Sequence, residues 1–473
     1  MNFTELLQEA PISIIAQKAQ EQGIKARIVG GFVRDQLLKR PSKDIDIVCE
    51  GDGIRLAEAV ASEREGAHVH VFKNFGTAMV QWEDWVLEFV GARKESYRGD
   101  SRKPEVEAGS FAEDELRRDF SINTMSISLE KESFACLIDP FDGQKDLKRK
   151  MIRTPTDPQI TFSDDPLRMM RAIRFATQLD FDIEPDTYEA IMLQKDRIAI
   201  VSMERIMDEL NKIILSPKPS SGFTFLFHTG LLDLFFPQMG KLAGVEVIDG
   251  HAHKDNFYHT LKVLDNLCQT SDDLWLRWAA LLHDIAKPAT KKYYKNQGWT
   301  FHGHEELGAR MVPELFRQLK LPMNEKMRYV QKLVRLHLRP IALVKETVTD
   351  TALRRLLFEA GDDLDDLMKL CRADITSKDG NRVKRYLENF DKVEQKLTEV
   401  EARDHVRNLQ PVITGEHIMQ YFDIRPGKDI GLIKNAIKEA ILEGRISNDW
   451  EPGFKLMVES AASLGYTLKE KPI

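Results

Sequence analysis

The chain has 473 residues, 42% of them hydrophobic and 30% charged, an ordinary globular balance that excludes disordered and collagen-like classes. At typical domain size that length holds about three or four units. With 68 Lys+Arg against 75 Asp+Glu the net charge is −7, which by itself points away from a nucleic-acid partner. Cys49, Cys136, Cys268 and Cys371 lie far apart without a C-x-x-C pair, so reduced, buried thiols are expected rather than a thiolate zinc site or disulfides. Met1–Ala10 carries Glu5 and Glu9 and no basic residue, and no apolar run approaches the roughly 18 residues that cross a bilayer. A cytoplasmic protein without membrane contact is expected.

In chain order, short β-type runs come first: Ala26–Val29, Ile45–Val48, His68–Phe72, Ala78–Trp82 and Val86–Val90. Arg98–Glu115, rich in charge, Gly and Ser, reads as a mobile loop. Helical periodicity then takes over at Asp165–Leu179, Met203–Leu215, Leu274–Ala286, Leu307–Leu319 and Lys326–Leu338. Joints are expected at Ser216–Gly222 and near Gly240–Gly250. The outline is an α+β head and an all-α remainder.

Two places carry chemistry. In the head, Gly30-Gly31 ends a strand and opens a helix, a turn through which backbone amides can approach an anion such as a triphosphate. Asp44 and Asp46 follow on a strand whose alternation points both to one face. A lone D-x-D is usually a solvated strand edge. With the glycine turn, and with Glu88 inside the apolar run Val86–Val90, a divalent ion becomes the better reading, and Mg²⁺ suits oxygen ligands facing substrate phosphates.

These residues resemble the nucleotidyltransferase head of the class II CCA-adding enzymes and bacterial poly(A) polymerases, of the polymerase-β superfamily. The resemblance runs through Arg117-Arg118-Asp119-Phe120-Ser121-Ile122-Asn123, Asp139-Pro140-Phe141-Asp142-Gly143, Asp164-Asp165-Pro166-Leu167-Arg168 and Glu204-Arg205-Ile206, covering about the first 215 residues. It implies catalysis by Asp44, Asp46 and Glu88 with Mg²⁺ on the two aspartates. It also implies nucleotide binding by Gly30, Gly31, Arg34, Arg117, Arg118, Asp119, Asn123, Asp165, Arg168 and Arg171. Without the resemblance, the Arg-Arg-Asp cluster reads as a surface salt-bridge group.

Asp165 and Arg168, three apart, are expected to share a helix face, with Arg171 and Arg174 continuing the spacing. By resemblance, Asp165 and Arg168 are a protein template for the incoming base. A carboxylate only accepts and a guanidinium only donates. Cytosine and adenine both offer an amino donor beside a ring-nitrogen acceptor, so one Asp/Arg pair can admit CTP and ATP and reject UTP and GTP. Asp164 stands where the motif usually has Glu, which touches a supporting role. Arg174 is expected to pair within its helix on a solvated surface. By resemblance, the Arg98–Glu115 segment is the flexible element needed for the final A, which disfavours an enzyme that adds C alone.

The second place is the set His259, His283-Asp284, His302-Gly303-His304, His337 and Asp374. An adjacent His-Asp on an apolar helix needs partners, and imidazole with carboxylate suits a divalent metal. The pattern resembles the HD phosphohydrolases, with His259, His283, Asp284 and Asp374 as metal ligands. His304 and His337 are candidates for a second metal or for phosphate, while His253 and His302 read as packed or surface residues. The implied activity is hydrolysis of phosphate esters, such as 2′,3′-cyclic or 2′-phosphates on nucleotides or damaged RNA ends.

The resulting division is a head at 1–150, a neck with the base-reading helix at 151–240, an HD domain at 241–380 and a helical, RNA-binding tail at 381–473. In the tail, Lys428 and Lys434 are candidate phosphate contacts. The expected function is CCA addition to tRNA from CTP and ATP, the rivals being a poly(A) polymerase and an HD phosphohydrolase with an inactive head. Residues 1–250 carry 32 basic and 42 acidic groups, the remainder 36 and 33. The second half is thus net basic, and Arg317–Arg339 holds seven cations against Glu325 alone. That distribution, unlike the total, accommodates RNA.

Overall fold

The computed structural model describes residues 3–72, 76–98, 101–345, 349–377, 379–407 and 409–469. The chain forms two compact units, Met1–Gly240 and Lys241–Ile473, and the boundary falls in the expected joint after Gly240. Among the described residues no helix is long and apolar enough to cross a membrane.

The first unit is built on a mixed sheet. Its strands are β1 (Lys25–Val29), β2 (Asp44–Glu50), β3 (His68–Phe72), β4 (Thr77–Trp82), β5 (Trp85–Gly91), β8 (Ser126–Ser128) and β9 (Leu137–Ile138), while β6 (Arg93–Arg98) and β7 (Ser101–Ala108) form a separate hairpin. The order is β3-β4-β5-β2-β1-β8-β9, with β2 and β5 parallel and every other neighbour antiparallel. The helix Gly53–Ala61 lies in the long connection that a parallel pair requires. Asp52 caps it by accepting from the Ile54 and Arg55 N–H groups, and it buries Leu56, Ala57 and Val60. Ile28, Ile47, Leu87 and Phe89 are fully buried in the sheet's core.

The segment Arg98–Glu115 differs from the loop expected. Ser101–Ala108 pairs with β6, and Phe111–Leu116 is a helix closed by a capping box between Ser110 and Glu113. A polar, charge-rich run hides a strand from a hydrophobicity pattern, yet pairing in a hairpin satisfies its backbone all the same. Residues 99–100 lie outside the described residues. Short strands also interrupt the helical remainder, among them the hairpin Lys292–Tyr294/Gly298–Thr300. Of the cysteines, Cys49 and Cys371 are buried as expected, whereas Cys136 is exposed.

The helix Leu167–Leu179 is fastened by its arginines. Arg168 Nη2 donates to the Arg117 carbonyl at 2.5 Å, and Arg171 meets Asp119 through two nitrogens at 2.6 and 2.8 Å. Arg174 is not the solvated intrahelical residue expected. It is 8% exposed, and its Nε lies 2.5 Å from Glu209 on the neighbouring helix Met203–Ile214, its guanidinium stacked 3.9 Å from the Phe175 ring centre. The i, i+3 spacing gave no sign of this, because the partner arrives from another helix.

In the second unit, Asn256–Leu267, Leu274–Leu282, His304–Gln318, Glu325–Leu336 and Leu364–Asp374 supply the histidine-rich centre. The tail helices Gly415–Tyr421, Lys428–Leu442 and Trp450–Ser463 bury a core of their own, including Ile418, Ile433, Ile437 and Met457. Lys428 and Lys434 are exposed there. The cationic stretch Arg317–Arg339 is partly neutralised by the fold, since Lys332 pairs with Asp363 at 2.5 Å and Arg335 approaches Glu359 at 3.9 Å.

Two outcomes follow. Glu209→Ala strands the buried Arg174 charge and is expected to cost about 3 kcal/mol, read as an earlier urea transition of the first unit. Asp119 is held down to about 2 against an ordinary 3.8: burial alone would raise it, but the Arg171 guanidinium and the Asn123 amide outweigh that. Its ionised form therefore adds about 2 kcal/mol that is fully present above about pH 4 and lost as pH falls toward 2. The stability gap between the wild type and Asp119→Asn should close over that window.

Candidate active sites in the head and the HD centre

In the head, register brings the acids together. Asp46 on β2 lies opposite Glu88 on the parallel β5, and on its other side pairs with Val29, the residue before Gly30. Gly30 has φ of 74°, and a Cβ there would stand 3.2 Å from Asp46 Oδ2 and 3.5 Å from Arg118 Nη1. The glycine is thus required by conformation, and the space beside it is tight. Burial, and then the Glu88 charge beside it, push the Asp46 carboxyl above its usual range, with Arg118 opposing. Asp44 and Glu88 remain exposed. Acids so placed fit a divalent ion bound through one or two carboxylates.

Most of the nucleotide-binding candidates fall into two bonded groups. Arg34 Nη1 donates to Asn123 Oδ1 at 2.9 Å, and Asn123 Nδ2 donates to Asp119 Oδ1 at 3.0 Å. Arg34, Asp119 and Asn123 are all buried, so they brace the cleft more than they line it. Arg117 and Arg118 both turn to Asp114, whose carboxylate is 2% exposed; Arg118 Nη2 lies 2.8 Å from Asp114 Oδ2. They are half-buried and gathered on a buried acid, which differs from a surface salt-bridge group. Asp165 does not share a helix face with Arg168: the helix starts at Leu167 after Pro166, and Asp165 stands before it, accepting from the Leu167 N–H at 3.1 Å. A residue before proline is steered away from helical conformation, which the i, i+3 argument overlooked.

In the second unit His283 and Asp284 also leave their helix, which ends at Leu282 rather than Ala286. His283 Nδ1 donates to the Ala280 carbonyl at 2.7 Å, and Pro288 follows closely. His304 and His337 repeat the arrangement on the Phe301 and Val334 carbonyls, at 2.7 and 2.6 Å, while His259 Nδ1 meets Thr376 Oγ1 at 3.0 Å. With the Nδ1 atoms of His283, His304 and His337 committed to carbonyls, their Nε2 atoms and that of His259 face one centre, an arrangement that suits metal ligation.

Asp284 divides that centre. Its Oδ2 lies 3.2 Å from His283 Nε2 and 3.5 Å from His259 Nε2, whereas its Oδ1 lies 3.3 Å from His304 Nε2 and 3.9 Å from His337 Nε2. Asp374 Oδ1 completes the first side, 2.9 Å from His259 Nε2. Two sets of ligating atoms, His259–His283–Asp284 and Asp284–His304–His337, each fall within 4.8 Å of one another. His302 is exposed and His253 packs against Trp299 and Phe301, both as expected.

The donor set fits divalent cations. Neither His283 Nε2 nor Asp284 Oδ2 makes a well-directed hydrogen bond, although both are buried. Burial would raise Asp284, but His283 and Lys287 hold it well below the carboxylate range. Burial also lowers His283, yet the Asp284 charge carries it up to about 8. For His337, burial and then the neighbouring His283 prevail and push it down to about 4.

Sequence reasoning gave no role to Asp114 or Lys287. Asp114 stands three and four residues before Arg117 and Arg118, and Lys287 three after Asp284, with Nζ 2.6 Å from Asp284 Oδ2. Helical spacing from an acid to a base was the available signal.

Comparison with known proteins finds relatives for both units. Residues 26–153 match the Poly A polymerase head domain, 180–242 the probable RNA and SrmB-binding site of polymerase A, and 256–378 the HD domain. The chain is 30% identical over 439 residues to an A-adding tRNA nucleotidyltransferase of Deinococcus radiodurans, covering 90% of this chain and 93% of the relative. It is 28% identical over 440 residues to a CCA-adding enzyme of Streptococcus pyogenes, covering 92% and 93%. The fold matches a Bacillus stearothermophilus CCA-adding enzyme crystallised with CTP, with a TM-score of 0.67 at 23% identity over 98% of each chain. The expectation drawn from total charge alone, of no nucleic-acid partner, is overturned: the chain belongs to the class II CCA-adding family of tRNA nucleotidyltransferases and carries an HD domain.

Proposed function

We propose that the chain adds C, C and A to the tRNA 3′ end from CTP and ATP in a cytoplasmic setting, and that its HD centre is a phosphate-ester hydrolase. The observation that carries the first reading is Asp46, in register with Glu88 and held against Gly30 beside Arg118. In this reading Asp44 and Asp46 hold Mg²⁺ and Glu88 adds a third carboxylate. Bound there, Mg²⁺ supplies an activated tRNA 3′-hydroxyl and a neutralised pyrophosphate. Gly30 and Gly31 let the triphosphate approach, and Arg117 and Arg118 take its oxygens while Asp114 aims them. Arg34, Asp119, Asn123 and Arg171 keep the cleft in shape. Asp165 accepts from the base amino group and Arg168 donates to the ring nitrogen beside it. The working division is a head at 1–150, a neck at 151–240, an HD domain at 241–380 and an RNA-binding tail at 381–473.

A-addition alone is the second reading, favoured by the A-adding relative at 30% identity. Two primers separate them, a tRNA lacking all three terminal nucleotides and one ending in CC. CTP incorporation into the first and ATP into the second are expected, and Asp46→Ala should lower both at least about a hundred-fold. Incorporation confined to ATP on the CC-ending primer would replace CCA addition by A-addition, and long A tails would indicate a poly(A) polymerase.

At the HD centre, His259, His283, Asp284 and Asp374 hold one divalent ion, and His304 and His337 with the far oxygen of Asp284 hold a second. Bound ions there supply a water of lowered pKa and neutralise the phosphate. A His283→Ala, Asp284→Ala double variant should lose phosphohydrolase activity and keep nucleotide addition. Hydrolysis at the wild-type rate would remove the assignment.

A further inference from the structure

Asp46 has two sides, and nucleotidyl transfer uses them differently. On one lies Gly30 of the turn after β1, with Arg118 close by; on the other lies Glu88 of β5. In the transfer the RNA 3′-oxygen bonds to the α-phosphorus as the bond to the pyrophosphate oxygen breaks, and the hydroxyl proton is released. The attacking and leaving oxygens stand roughly in line across the phosphorus. With the pyrophosphate drawn to the glycine turn and its arginines, the RNA hydroxyl arrives from the Glu88 side. The sheet surface beyond Glu88 is therefore the path of the RNA 3′ end.

Register shows what lies there. Glu88 pairs with Met79 on β4, and Met79 with His70 on β3, the edge strand; in the next row Val86 pairs with Gln81 and Gln81 with His68. Directly paired residues share a face of the sheet, so His68, His70 and Phe72, alternating along β3, face the same way as Asp46 and Glu88. At roughly 5 Å per strand, His70 stands about 10 Å beyond Glu88. The other face is the core side, where Ala78, Val80, Leu87 and Phe89 are fully buried. The catalytic side is open: Glu88, Gln81, His68 and His70 are exposed, and Phe72 is 49% exposed. An edge strand is ordinarily guarded by charge or proline, and His68-Val69-His70-Val71-Phe72 contains no lysine, acid or proline. Rings in a row on an open strand are instead what sheets that bind single-stranded RNA present, whose unstacked bases lie against aromatic and imidazole faces.

We propose that the open face of β3 and β4 is a platform for the single-stranded RNA 3′ end, on which Phe72 and His70 stack against the unpaired nucleotides just upstream of the attacking hydroxyl. His68 and Gln81, side by side in the next row, hydrogen-bond the sugar–phosphate backbone of the same strand. A duplex stem keeps its base faces stacked inside, so the ligand of this surface is the unpaired tail. These are positioning residues: they carry the terminal ribose toward Glu88 and take no part in choosing between CTP and ATP. The inference rests on the nucleotidyl-transfer reading above and specifies where its primer lies.

The test uses the full chain with Mg²⁺ and two labelled RNA hairpins, one blunt and one with a short single-stranded 3′ tail, whose binding is read by fluorescence anisotropy. Incorporation of CTP and ATP into tRNA primers is measured alongside. The His70→Ala, Phe72→Ala double variant should bind the tailed hairpin about ten-fold more weakly and raise the primer KM to match, with the blunt hairpin and the KM for CTP unchanged. Both side chains are exposed, and the opposite face of β3, with Val69 and Val71, keeps the strand in place. Phe72→Tyr, which keeps the ring, should hold the tail as tightly as the wild type. Equal loss for tailed and blunt hairpins, a matching rise in the CTP KM, or no change for either RNA overturns the platform. Tail binding that depends on Phe72 in a chain that incorporates no nucleotide would sink the transfer reading and leave the platform standing; normal incorporation with tail binding indifferent to both residues would do the reverse.

Discussion

A charge removed from water must meet an opposite charge, and both units of this chain are organised by that requirement. In the head, Asp119 and Asp114 are buried acids over which arginines close: Arg171 on the first, Arg117 and Arg118 on the second. Since Arg171 belongs to the helix Leu167–Leu179, the same pair that solves the burial problem also ties that helix to the segment leading into β8. Arg174 and Glu209 repeat the solution on the other side of that helix.

At the HD centre the requirement is met only in part. Asp284 is buried among four imidazoles, with Lys287 as its single ammonium neighbour among the described residues. His283, His304 and His337 each have one nitrogen committed to a backbone carbonyl outside the centre, which leaves their other nitrogens turned inward beside the Asp284 carboxylate. The two oxygens of Asp284 face different histidine pairs, which is a geometric reason for two ion positions.

Much of this was legible in the residues. The five head strands, the D-x-D pair and the His-Asp pair follow from alternation and the cost of burying polar groups, and the outlying histidines from resemblance to the HD pattern. The errors have a common cause. Arg174 looked solvated because its partner sits 35 positions away. Asp165 looked helical because spacing was weighed above the proline after it. The β6–β7 hairpin looked like a loop because neither of its faces is patterned as a buried one. The basic run Arg317–Arg339 looked unopposed until Asp363 and Glu359 folded against it.

Order along the chain was enough to establish the chemistry at stake: which residues are acids, bases and imidazoles, which lie next to a glycine turn, and which family they resemble. Periodicity carries that information because it is local. Folding alone decided that Glu88 lies opposite Asp46, that Asp114 gathers two arginines, and that one carboxylate separates two pairs of histidines. Those relations join residues tens of positions apart, or fix directions of single side chains, and burial energy that selects them is shared over the whole core and written in no short stretch of sequence.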